Sequence, residues 1–131
     1  MLKTSTLLVF SFMGSLFAFA ADPYEEVSQA LRSGNAQQVS NFFQGNIDMT
    51  ILTQEGMYSK AQAEVILKDF FSKNPPKSFS ILHKGTSKEG SLYAIGNLET
   101  ATGEIFRTYF FIKSVAGKNI IQELRIEKES K

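Results

Sequence analysis

The sequence predicts an α+β fold in which three N-terminal helices pack on one face of a curved antiparallel β-sheet. Three observations carry this. Three helix-capping signals lie ahead of Asn74-Pro75-Pro76, the hydrophobic period changes from helical to two beyond Lys77, and the small residues Ala94 and Gly96 fall in mid-strand, where they let a sheet curve.

Asp22-Pro23-Tyr24-Glu25 combines an N-cap, a proline at the first helical position and a glutamate three residues after the cap. Tyr24, Val27, Ala30 and Leu31 continue at helical spacing, and Gly34 suits the left-handed residue that closes a helix. Asn35-Ala36-Gln37-Gln38 opens a second short helix with Val39, Phe42 and Phe43 as its apolar stripe and Gly45 as its stop. Ile47 to Thr53 alternates as a strand does, and Gln54-Glu55-Gly56 reads as a turn leading into Met57-Tyr58. Ser59-Lys60-Ala61-Gln62 is a capping box for a third helix carrying Ala63, Ile66, Leu67, Phe70 and Phe71 on one side.

Four strands are expected after the prolines, over residues 77–86, 91–100, 104–114 and 118–128, forming an antiparallel meander. The third is the richest in aromatic and β-branched residues and reads as buried on both faces, with Phe106, Thr108, Phe110 and Ile112 toward the helices. Joining Thr100 to Glu104 places Leu98, Gly96, Ala94 and Leu92 opposite those four. Joining Ser114 to Lys118 adds Ile120, Gln122, Leu124 and Ile126 to the same face, and the first meander strand adds Phe79, Ile81 and His83.

At 131 residues with 43% hydrophobic and 21% charged side chains, the chain has the composition of one globular domain, assigned to residues 22–129. Residues 1–20 read as a secretory leader: Lys3 precedes the apolar run Leu7 to Phe19, and Ala18-Phe19-Ala20 precedes a cut after Ala20. The expectation is export to the periplasm or the cell exterior, with no membrane attachment once the leader is removed. The chain has no cysteine, which excludes disulfides and lipid attachment through a cysteine. Without Lys3 the 14 basic side chains fall by one to match the 13 acidic ones, so neither nucleic acid nor another charged partner is implied.

The element order, the run Gln54 to Ala63, Phe70-Phe71 to Pro75-Pro76, His83-Lys84-Gly85, Tyr93 to Gly96 and Phe106 to Phe110 resemble the exported bacterial domains of unknown function family 4783. That family lies within the nuclear transport factor two-like, cystatin-like cone superfamily. The resemblance implies a cone-shaped α+β fold, one that also hosts ketosteroid isomerase and scytalone dehydratase, and related folds commonly dimerise through the outer sheet face. It implies little about chemistry.

Two places are candidate sites. Inside the cone, His83, Thr108, Gln122, Gly96 and Phe110, with Tyr58 from the hairpin, are expected to line a pocket for a small apolar or amphipathic ligand. On the outer face Tyr93, Ile95, Asn97, Arg107, Tyr109, Phe111 and Ile121 have the composition of an interface for a homodimer or a protein partner. No catalytic or metal-ligand constellation is identified, no cofactor is expected, and nucleophile-elbow, zinc-helix and phosphate-loop motifs do not occur. The function expected is therefore a non-enzymatic binding module. The alternatives are a small isomerase, dehydratase or hydrolase with His83 as its base, or a structural homodimer.

Overall fold

A computed structural model describes residues 22–129, so the expected leader lies outside the described residues. Helix α1 spans Pro23–Ser33, α2 spans Ala36–Ser40, and α3 spans Lys60–Lys73. The strands are β1 Asn46–Ile51, β2 Gln54–Ser59, β3 Pro76–Thr86, β4 Leu92–Thr100, β5 Ile105–Val115 and β6 Lys118–Lys128.

Each helix begins where its cap predicts. The Asp22 carboxylate accepts from the Tyr24 amide, the Asn35 side chain accepts from Gln37 and Gln38, and Ser59 and Gln62 satisfy each other's backbone amides reciprocally. Gly34 closes α1 at φ 65°, a conformation that a Cβ would strain. The second helix is a single turn and a half. Its chain continues through Phe42, whose carbonyl accepts a hydrogen bond from the Ile121 amide at 2.8 Å.

The six strands form one sheet in the order β2-β1-β6-β5-β4-β3. The meander from β3 to β6 is antiparallel throughout, but β1 joins β6 in parallel, so the sheet is mixed rather than purely antiparallel. The reversal between β1 and β2 falls at Leu52-Thr53, with Leu52 at φ 58°, and the expected turn residues Gln54-Glu55-Gly56 lie within β2. A two-residue reversal keeps Ile47, Met49 and Ile51 on the core side, which a later turn would not change.

The core lies between the helices and the inner face of the sheet. Val27, Leu31, Leu67 and Phe70 from the helices meet Phe79, Leu98, Phe106, Phe110, Leu124 and Ile126 from the strands. Phe70 packs edge-on against Phe106 with ring centroids 5.1 Å apart. The β4–β5 register is Leu98 with Phe106, Gly96 with Thr108, Ala94 with Phe110 and Leu92 with Ile112, as the pattern predicts. The odd positions of β5 are not fully buried: Ile105 and Arg107 are exposed, and Tyr109 and Phe111 are half-buried.

Two bulges change which side chains face inward. On β3, Ile81 pairs with Gly96 and His83 pairs with Ile95, so Leu82 is an extra residue and Lys84 is what lies opposite Ala94. Ala116 and Gly117 both have positive φ and make a tight two-residue turn that pairs Val115 with Lys118. That register turns Ile121 inward opposite Ile112, and a bulge at Gln122 then restores Leu124 and Ile126 to the core.

Candidate functional site

The expected cone pocket does not assemble. His83 is exposed on the face turned away from the helices, because the extra residue Leu82 inverts its parity. Gln122 is exposed at the second bulge. Thr108 does point inward and is fully buried, but its hydroxyl donates to the Phe106 carbonyl at 3.3 Å. Gly96 admits a neighbour rather than a ligand: a Cβ there would collide with the Ser80 carbonyl oxygen and lie 2.7 Å from the Phe79 ring. Phe110 is enclosed, with the Phe79 ring centroid 6.3 Å away, and Tyr58 packs against the edge of the core.

The outer face does gather its expected residues, with one exchange. Tyr93 lies opposite Phe111, Ile95 opposite Tyr109, and Asn97 opposite Arg107. Ile121 is absent from this face because it is buried in the core, and Ile120, paired with Lys113, takes its side of β6. His83 joins the face beside Ile95. Met57, 64% exposed and paired with outward-facing Asp48, extends the patch across β2, and Leu82 is 55% exposed at the β3 bulge. Ile105 and Val115 add exposed apolar groups at the two ends of β5. Nothing in the alternation of β2 or β3 marks Met57 and Leu82 without knowledge of the pairing.

Tyr109 is the centre of this surface. The Arg125 guanidinium sits over its ring at 5.6 Å and pairs with Glu123 on the same strand. Burial pushes the Tyr109 hydroxyl above its usual 10.0, and the Glu123 carboxylate pushes it further, while Arg125 opposes both. Beside it, Ile95, Arg107, Tyr109, Arg125 and Glu127 enclose a shallow hollow of about 190 Å³. Ligand pockets run to roughly 300–1,000 Å³, so this hollow is sized for a side chain rather than a metabolite. On the adjoining strand the Tyr93 ring covers Gly85, where a Cβ would collide with it.

Among the described residues no group of three His, Cys, Asp or Glu side chains is placed to hold a metal ion, and no helix is long and apolar enough to cross a membrane.

Three helices on a curved, six-stranded sheet have the nuclear transport factor two-like α+β fold, and solved structures of that fold match. A protein of this fold and unknown function from Shewanella baltica OS155 aligns over 83% of this chain and 90% of its own at 10% identity, with a TM-score of 0.62. The chain belongs to a domain of unknown function family (DUF4783), whose model matches residues 24–127. Crystal structures of DUF4783 family proteins agree. The one from Bacteroides fragilis YCH46 is 31% identical, over 79% of this chain and 96% of that one, with a TM-score of 0.72. The one from Bacteroides uniformis ATCC 8492 is also 31% identical, over 82% and 97%, with a TM-score of 0.73. No curated protein matches the sequence.

Proposed function

We propose that this chain is an exported, non-enzymatic association module that binds through the outer face of its sheet, and that the occupant of that face is a second copy. The leader expected at residues 1–20 supports export. The observation that carries the reading is the placement of exposed apolar groups: Met57, Tyr93, Ile105 and Val115 lie on the outer face with Leu82 at its margin, while Val65 on α3 and Leu52 in the β1–β2 turn are exposed elsewhere. Tyr93, Tyr109 and Phe111 group rings on adjoining strands of this face, an arrangement that marks interaction surfaces.

Charge argues for a second copy over an unlike partner. Arg107 and Arg125 stand among Glu99, Glu123 and Glu127 across β4 to β6, so the face carries both signs side by side. A two-fold axis brings one patch against itself, and such a patch can set its arginines against its partner's glutamates. The small hollow beside Tyr109 fits one inserted side chain. An association domain from Xanthomonas campestris, 16% identical with a TM-score of 0.62, shares the fold and supplies an analogy of architecture only. The filled inner face gives no comparable support to a small apolar ligand under the helices, and an acid–base role for His83 would have to operate from an exposed position.

Sedimentation equilibrium of residues 21–131 tests this. The expected result is a dimer mass for the wild type and a monomer mass for Tyr109→Glu and for Tyr93→Glu, each with unchanged circular dichroism. A wild-type monomer at the highest soluble concentration, or dimers that survive both substitutions, overturns it.

A further inference from the structure

A second surface, on the helical side and separate from the sheet's outer face, carries its own chemistry. Between α1 and α2 runs an open groove of about 400 Å³, lined by Glu26, Gln29, Ala30, Gln38, Asn41 and Phe42. Its volume falls within the roughly 300–1,000 Å³ of ligand sites. The lining comes from two helical spacings of three, Glu26 with Gln29 on α1 and Gln38 with Asn41 at the end of α2, so both pairs turn toward the space between the helices. Buried Ala30 forms the floor, and half-buried Phe42 forms one wall.

The backbone at Phe42 is fixed, and its half-buried ring packs against the core on one side. The Ile121 amide donates to its carbonyl at 2.8 Å, and its own amide donates to the Val39 carbonyl at 3.1 Å. Of the polar groups, Gln29, Gln38 and Asn41 are open to solvent and Glu26 is half-buried. Among the described residues the side chains of Glu26, Gln29, Gln38 and Asn41 have no hydrogen-bond partner within the protein, and the Arg32 guanidinium is paired with Glu25 rather than Glu26.

We infer that this groove binds a neutral carbohydrate. Three side-chain amides, each offering two donors and an acceptor, match the alternating donor and acceptor hydroxyls of a sugar ring. The Glu26 carboxylate accepts from two adjacent hydroxyls, and the Phe42 ring covers the apolar C–H face of the pyranose. No lysine or arginine lines the groove, so an anionic ligand has nothing to pair with. The lining is too polar for a lipid, which would leave four hydrogen-bonding groups covered and unmatched.

The test is heteronuclear NMR titration of residues 21–131 with maltose, cellobiose, lactose and chitobiose in turn, with sodium acetate as an anionic control. The expected result is saturable shifts of the Gln29, Gln38 and Asn41 side-chain amides with at least one disaccharide and none with acetate. Gln29→Ala/Gln38→Ala, both exposed positions, should weaken that binding at least about tenfold, which is about 1.4 kcal/mol, without altering the fold. Phe42→Leu should weaken it similarly by removing the ring and keeping the packing, whereas Tyr109→Glu should leave it unchanged. Absence of shifts with all four disaccharides, shifts with acetate alone, or binding indifferent to the double substitution overturns the inference. None of these outcomes bears on the oligomeric state.

Discussion

The two faces of β5 share one backbone and oppose each other in every other respect. Phe106, Thr108, Phe110 and Ile112 face the helices and are each at most 1% exposed, whereas Ile105, Arg107, Tyr109 and Phe111 face away and remain exposed or half-buried. The inner face is closed by shape: ring meets ring, and Gly96 exists there to let Phe79 approach. The outer face combines rings with charges of both signs, the Arg125 guanidinium lying over the Tyr109 ring. With the proposed association, stability and recognition in this domain are divided between the two sides of a single strand.

Substitutions on the two faces should therefore separate cleanly. The largest effect is expected on the inner side: Phe106→Ala should cost about 3–5 kcal/mol in urea unfolding, because the fully buried ring and its contact with Phe70 are lost and the site cannot collapse. Gly96→Val should cost about 1–3 kcal/mol by overpacking, since its Cβ meets backbone as well as the Phe79 ring. Thr108→Val should change stability by about 1 kcal/mol or less in the same assay, because the hydroxyl makes only a 3.3 Å bond to its own strand. A loss beyond that would mean the inner polar group serves a purpose the packing does not reveal.

On the outer side the expected energies are smaller. Arg125→Ala should cost less than about 1 kcal/mol, since its pair with Glu123 is partly solvated. It should also raise the Tyr109 pKa further by removing the one charge that lowers it, and Glu123→Gln should bring it back toward 10.0. NMR titration of the Tyr109 ring checks both directions. A tyrosine whose folded pKa is raised holds its proton longer in the native state. Its contribution to stability is therefore fully present below pH 10.0 and is lost as pH rises through the folded pKa.

The four meander strands, the helix caps and the inward set on β4 and β5 were legible in the residues, because the alternation there is uninterrupted and each cap is a local hydrogen-bond pattern. The cone pocket was not. Counting in twos along each strand turns His83 and Gln122 inward, but each lies at or beyond a bulge that breaks the count. Alternation carries no marker for the extra residue at Leu82 or Gln122. The Ala116-Gly117 pair carries no such marker either: Gly117 suits a positive φ but Ala116 does not, so the two-residue turn and the inward Ile121 are set by the pairing of β5 with β6.

By itself the sequence determined the class of fold, the order of its elements and the strand at its centre, because these follow from local capping and from a hydrophobic period that persists over many residues. Only the tertiary structure decided the parallel pairing of β1 with β6, the side on which His83, Ile121 and Gln122 lie, and the placing of Gln29 and Gln38 along one groove. The physical reason is that a single inserted residue reverses the facing of everything beyond it, and the free energy that selects the insertion comes from packing between segments distant in the chain.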